Sequence, residues 1–246
     1  MSIETIRIFV GFDQREAIAY HAFCQSVIEK ASQPVEFIPL ARNLLDDFDG
    51  QQDGTNAFIF SRYLIPYLCN FQGWALFFDG DMICTGDVAN LWNDRERLYD
   101  KAVSVVKHDY VTKSRRKYIG SNIENDNVDY PRKNWSSVML WNCSHYANRQ
   151  LTPEAVANKG AVFLHRFQWL DDKYIGELMP TWNHLVGENP PGPANLYHQT
   201  LGVPFIKHYA DDFASWHAHR TLVNMLECAG EDPVDLVLRS TQRAGN

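Results

Sequence analysis

Several things that would place this sequence quickly are scarce or missing. Its five cysteines, Cys24, Cys69, Cys84, Cys143 and Cys228, form no Cys-x-x-Cys pair and are odd in number. That argues against a disulfide framework and for reduced thiols in the core of a cytoplasmic protein. Nowhere do about 18 to 20 apolar residues run together, so no membrane-spanning helix is expected. The opening stretch, MSIETIRIFVGFDQRE, has no basic flank, no long apolar region and no small-residue cleavage site, and no secretion signal is expected from it. Positive charge is in short supply: 23 Lys and Arg stand against 30 Asp and Glu, a net charge of -7. A general surface for nucleic acid or anionic lipid is thereby excluded, because such surfaces need clustered cations. An anionic substrate would have to be met by a metal ion or a local basic site. There is no internal repeat and no low-complexity tract.

What is present is an ordinary globular mixture, 45% hydrophobic and 22% charged residues over 246 positions. It suits a single domain spanning 1–246 with a sizeable core. IRIFVGF reads as a buried strand; the following segment reads as a helix, with Asp13 as N-cap and Glu16 at the capping-box position. VEFIPL is a second strand. A polar loop is expected from Asn43 to Asn56, then a mostly helical AFIFSRYLIPYLC with Pro66 near a boundary. WALFFDGDMI is a third strand, AVSVVKHDY and SSVMLWN two more. Alternation of strands with helices predicts an α/β fold with a largely parallel sheet flanked by helices. A polar excursion at about 111–134 interrupts this pattern, and the tail after about 239 is expected to fray.

Asp79 and Asp81 raise the chemical question, because they follow an apolar strand at the end where α/β sheets gather ligands. Residues i and i+2 of a strand share a face, and Gly80 lets the backbone turn between them, so both carboxylates can reach one cation. Two hard oxygens suit Mg²⁺ or Mn²⁺. The alternative is that one Asp caps the helix in DMICTGDVANLW and the other pairs with a basic residue. A third ligand is available in YHQTLGVPF, where His198 precedes Thr200, Gly202 and Pro204, a turn that lets backbone approach a ligand closely.

These segments resemble glycosyltransferases of the GT-A fold, and among them the family 8 group that includes glycogenin and bacterial galactosyltransferases. FSRYLIPYLCNFQGWALFFDGDMIC is similar to that group's Arg-containing helix, strand and DxD motif. IRIFVGFDQRE is similar to its first nucleotide-binding strand, WSSVMLWN to its Asn-Ser-Gly-Val-Met-Leu strand, WLDDKYIGELMPTWN to its Asp-Gln-Asp helix with trailing Trp-Asn, and YHQTLGVPF to its histidine turn. The resemblance spans roughly residues 6 to 205. It implies a GT-A, Rossmann-like mixed sheet and a metal-dependent transferase that moves a sugar from a nucleotide-sugar donor, a UDP-sugar, with retention. The acceptor, whether glycan, lipid-linked or small molecule, stays open.

On that resemblance Asp79, Asp81 and His198 hold the cation, with Asp79 and Gly80 also at the donor. Val10, Gly11 and Phe12 line the nucleobase, Asp13 the base and ribose, and Arg62 the sugar or phosphates. Ser136, Ser137 and the Gly202 turn contact the donor. Asp171 or Asp172 faces sugar and acceptor as the catalytic carboxylate, while Trp169 and Trp182 are candidates to stack on sugar rings. The pattern also departs from the family. Trp135 stands where relatives carry a sugar-contacting Asn, and the diphosphate-binding Lys after the histidine turn is missing, Lys207 being out of register. Lys113, Arg115, Arg116 and Lys117 of the excursion are then candidate substitutes on a lid, or simply a solvated run. His208, with Trp216, is a second alignment for the metal histidine. Two other functions remain open: a nucleotide-sugar or glycan-binding protein without turnover, and a haloacid-dehalogenase-type phosphatase with Asp79 as nucleophile.

Overall fold

The computed structural model of the chain describes residues 4–41, 44–45, 58–203, 205–211 and 213–229, the side chains of 215, 216 and 225–229 excepted. Most of the expected loop from Asn43 to Asn56, Pro204, the Trp216 side chain and the tail after 239 lie outside these described residues. In chain order the elements are β1 (Ile6–Gly11), α1 (Ala17–Ile28), β2 (Val35–Leu40), α2 (Ile65–Leu68), β3 (Trp74–Phe78), β4 (Met82–Cys84), α3 (Val88–Asn93) and β5 (Val103–Val105). Then follow β6 (Arg116–Lys117), β7 (Asn125–Asp126), β8 (Val138–Asn142), α4 (Pro153–His165), β9 (Ile175–Glu177), β10 (His184–Leu185), β11 (Leu196–His198) and α5 (Phe213–Ala229).

Six strands form the central sheet in the order β2-β1-β3-β8-β5-β9. All run parallel except β8, which is antiparallel to both neighbours. The expected mixed, mostly parallel sheet flanked by helices is what the chain forms. Its two faces feed two cores by simple alternation: Phe9, Ala75, Phe77 and Met139 pack on one side, and Ile8, Val10, Leu76, Phe78 and Leu140 on the other. That is the two-residue period of strands buried on both faces.

WALFFDGDMI, read from the sequence as one strand, is two. β3 stays in the central sheet, whereas β4 joins a second sheet, β10-β11-β4, by pairing antiparallel with β11. The break falls on Asp79-Gly80-Asp81. A Cβ at Gly80 would come within 2.5 Å of the Gly11 carbonyl oxygen, so only glycine lets this turn pass the end of β1. The DxD turn is therefore the seam between two sheets. Two helices also differ from expectation. The Arg62 segment is a 3-10 turn, Ser61–Leu64, running into the short α2 with Pro66 in its first turn. The acidic segment expected to be a helix is a 3-10 turn, Asp172–Tyr174, leading into edge strand β9. Among the described residues no helix is long and apolar enough to cross a membrane.

Candidate active site

The seam places Asp79 and Asp81 beyond the carboxyl end of β3, and β11, paired with β4, brings His198 opposite them. Ligand atoms of Asp79, Asp81 and His198 all lie within 4.8 Å of one another, and all three residues are almost fully buried. Ligands of a cation at about 2.1 Å are about 3 to 4.2 Å apart, so a small inward movement of these side chains would seat one ion. The Oδ1 atoms of both carboxylates are buried without a hydrogen-bond partner among the described residues, although each faces a cationic or imidazole group. Arg62 Nη1 is 2.8 Å from Asp79 Oδ1, and His198 Nε2 is 3.4 Å from Asp81 Oδ1. The alternative reading of the pair is thus half present, since Asp79 does pair with a base. The helix cap belongs to Asp87, which accepts from the Ala89 N–H.

Asn183 gives the imidazole its orientation. Its amide donates to the Asn134 carbonyl and the Ser137 hydroxyl, which turns its Oδ1 toward His198 Nδ1 at 3.0 Å. Nδ1 therefore carries the hydrogen, and the Nε2 lone pair is aimed at the Asp81 carboxylate. Two acceptors facing each other at 3.4 Å repel unless positive charge stands between them, which is the condition a divalent cation meets. The donor set, two carboxylates and one imidazole, fits Mn²⁺ or Mg²⁺. Asn183→Ala is expected to weaken Mn²⁺ binding about 10- to 100-fold, the usual cost of removing an outer-shell partner; titration by electron paramagnetic resonance checks this.

Burial sets the charge states. It pushes Asp79 up to about 6, with Arg62 opposing the rise and Asp81 adding to it. Burial also acts to raise Asp81, but positive charge between it and His198, whether a proton or an ion, outweighs burial and holds this carboxylate below its usual range. Glu16, buried beside them, is pushed up to about 8 by burial and by the charges of Asp81 and Asp13. A proton on Asp79 competes with a cation for the same oxygens. Mn²⁺ affinity should accordingly rise about tenfold per pH unit below pH 6 and level off above it, a slope that calorimetry at several pH values would measure.

Beside the cluster opens a cleft of about 270 Å³ whose walls include Arg62, Asp79, Ser136 and Ser137, four of the residues expected at the donor. Arg62 is buried, donates to the Ser136 carbonyl and lies over the rings of Phe58 and Phe77. The Ser136 hydroxyl is 3.0 Å from His165 Nδ1, and that of Ser137 donates to the Asn134 carbonyl. Other wall residues were not legible in the sequence. Asn134, in the left-handed region at φ 61, stands one position before the tryptophan that replaces the family's Asn. Ala161, Val162 and His165 reach the cleft because α4 breaks at Gly160, whose φ of 72 needs a glycine. Burial, with Arg62 adding, pushes His165 down to about 3, so it acts as a neutral imidazole. Asn183 had one sequence signal, the Trp-Asn pair ending WLDDKYIGELMPTWN.

The remaining expected residues are placed variously. Val10, Gly11, Phe12 and Asp13 sit at the carboxyl end of β1, against the DxD turn and outside the cleft's walls. A Cβ at Gly11 would collide with the Phe58 ring, so the ring packs directly on this glycine. Asp13 caps the turn Gln14–Glu16 through the Arg15 N–H and pairs with the Arg15 guanidinium. Glu16 does not complete a capping box: Asp81 and the Tyr118 hydroxyl are its neighbours, and its Oε1 has no hydrogen-bond partner among the described residues. At Gly202 the close approach expected of a ligand is made by the Tyr209 ring. Asp171 and Asp172 are exposed at the amino end of β9, opposite to the end of the sheet that carries the cluster. Neither lines the cleft, and Asp172 pairs with Arg132 at 2.6 Å. Trp169 and Trp182 are buried in the two cores and stack on no open surface. His208 is exposed against Tyr209, away from the acidic pair, and Lys207 is exposed as well.

No family model matches the chain. Over 217 residues it is 39% identical to Protein CDI of Arabidopsis thaliana, an alignment covering 83% of this chain and 81% of that protein. The chain belongs to the Protein CDI family. The fold of this chain is similar to that of solved GT-A glycosyltransferases. Mouse xyloside xylosyltransferase 1 in its apo form superposes with a TM-score of 0.54 at 12% identity, covering 82% of this chain and 100% of that one. The WbbM bifunctional glycosyltransferase, also apo, gives 0.54 at 14% identity over 79% of this chain. This CDI-family chain spans 45% of the length of WbbM.

Proposed function

We propose that this chain is a metal-dependent glycosyltransferase of the family 8 type, a hexosyltransferase taking its sugar from a nucleotide-sugar donor, a UDP-sugar, with retention at the anomeric carbon. The observation that carries this reading is the buried Asp79-Asp81-His198 cluster beside an open cleft, at the carboxyl ends of the strands. A divalent cation held there, Mn²⁺ or Mg²⁺, supplies a Lewis acid for the charge that builds on the departing diphosphate. The protein's own groups do the rest. Arg62 keeps Asp79 in place while lining the sugar side of the cleft, and Asn183 keeps His198 in the tautomer that ligation requires. The hydroxyls of Ser136 and Ser137, with the Asn134 amide, offer neutral hydrogen bonds to sugar hydroxyls. The backbone of Val10 to Asp13, next to the DxD turn, forms the nucleoside side. Asp172 is tied through Arg132 to the carbonyl of the cleft residue Arg166.

The phosphatase reading is set aside, because its motif belongs on the first strand and Asp79, ion-paired to Arg62, is not a free nucleophile. The thiols of Cys24, Cys69, Cys84 and Cys143 are free, in keeping with a reducing compartment such as the cytoplasm. A thermal-shift panel of nucleotide sugars, each with and without Mn²⁺, tests the proposal. A UDP-sugar should raise the melting temperature by several degrees only when Mn²⁺ is present. No shift from any nucleotide sugar would overturn it, and a shift without subsequent donor hydrolysis would favour a binding protein on the same fold.

A further inference from the structure

The segment after His198 offers no cation to a diphosphate, since Lys207 is exposed on a separate 3-10 turn, Lys207–Tyr209. The polar excursion supplies one instead. It is not structureless: β6 and β7 pair as an antiparallel hairpin, and the hairpin is sewn to the site. The Tyr118 N–H donates to the Leu201 carbonyl at 2.7 Å. Buried Glu188 accepts from the N–H groups of Lys113 and Ser114. Of the four basic residues in this run, only Lys117 reaches the cleft that holds Arg62 and Asp79. Arg116 turns outward to Glu124 and Asp126, Arg115 is exposed, and Lys113 lines a different cleft.

Lys117 Nζ donates to the Thr200 hydroxyl at 2.9 Å, two residues from the metal histidine. An ammonium has three N–H donors, and this is its one hydrogen bond among the described residues. It lies in the field of Asp81, Asp79, Glu16 and Glu188, yet none of them pairs with it within 4.0 Å. A desolvated ammonium with two donors to spare, fixed by a neutral partner and facing a cleft, is arranged for an anion the protein does not provide.

We infer that the Lys117 ammonium binds the donor's diphosphate in the cleft it lines with Arg62 and Asp79. This rests on the proposed nucleotide-sugar reading and adds the residue that recognises the phosphates. The test is calorimetric titration with UDP in Mn²⁺, with GDP and ADP alongside, on wild type, Lys117→Ala, Lys117→Gln and Lys117→Arg. Mn²⁺ alone is titrated by electron paramagnetic resonance on the same proteins. Losing a charge-assisted contact should weaken UDP binding about 10- to 100-fold in the Ala and Gln variants, with partial recovery in Arg. Mn²⁺ alone should bind as well or a few-fold more tightly, because a like charge has gone. UDP affinity then falls while Mn²⁺ affinity holds or rises, a combination that a damaged fold cannot produce. UDP affinity within twofold of wild type in both neutral variants overturns the inference and leaves the function standing. Equal losses of UDP and Mn²⁺ overturn it in favour of a structural lysine. Wild type that binds no nucleoside diphosphate with Mn²⁺ overturns the functional reading and this inference with it.

Discussion

Asp81→Asn is expected to reduce Mn²⁺-dependent hydrolysis or transfer from a UDP-sugar by about 10³-fold or more. The carboxylate is one of three ligands, and an amide offers the ion a neutral oxygen in place of a charge. Loss of a single preorganised electrostatic group at a reacting centre costs about 10² to 10³ in kcat, and loss of the ion itself costs more. The variant should still fold. Asp81 is held by His198 rather than by a network that spans the core, and the amide N–H₂ can donate to the imidazole Nε2. Mn²⁺ titration and donor-hydrolysis rates on a variant with an unchanged melting temperature check this. Turnover within tenfold of wild type at saturating Mn²⁺ would remove the metal from the reaction and end the reading of the DxD turn as its site.

Arg62→Ala is expected to be the most destabilising single change at the site. The guanidinium and its partner Asp79 are both nearly inaccessible, at 6% and 12% side-chain exposure. Removing one member strands a buried carboxylate and also orphans the Ser136 carbonyl. Breaking such a pair costs about 3 to 5 kcal/mol, which for a chain of this size is roughly 6 to 20 °C in Tm. Asp79 can relieve part of that cost by taking a proton, and burial already pushes it up to about 6. The penalty should therefore be smaller at pH 5 than at pH 8, where neutralising the carboxylate means working against a lower proton activity. Added Mn²⁺ should recover part of the loss at pH 8, because the ion supplies the missing positive charge. Thermal melts at the two pH values, with and without Mn²⁺, give all three comparisons. A loss that is independent of pH would locate the cost in packing against Phe58 and Phe77 instead.

Strands β1 and β3 of the central sheet were legible because they are buried on both faces, and continuous apolar runs such as IRIFVG and WALFF leave few other destinations for those side chains. The acidic pair was legible for the opposite reason: two carboxylates at the end of such a run are costly unless something compensates them. His198 was legible through its turn. What failed was direction. One residue of a short strand separates facing the cation from facing away, and β11 shows it, with His198 buried at the cluster and Tyr197 half-exposed on the other face. Asp171 and Asp172 sit in a motif-like segment, yet that segment feeds β9 from its amino end, and the strand's polarity carries them away from the cleft. No local pattern states which end of which strand a segment will meet.

Sequence alone settled the strands β1, β2, β3, β5 and β8 of the central sheet and the chemistry that could collect at Asp79 and Asp81, since each follows from a side chain's own cost of transfer from water. Tertiary structure decided which partners answer them. Arg62 arrives from a 3-10 turn, His198 from a second sheet, and Lys117 from a hairpin in the most polar stretch of the chain, where composition suggested only solvated charge. Coulomb energy depends on distance and local dielectric, and for residues 17 to 119 positions apart both are set by how the sheets meet at the Asp79-Gly80-Asp81 seam.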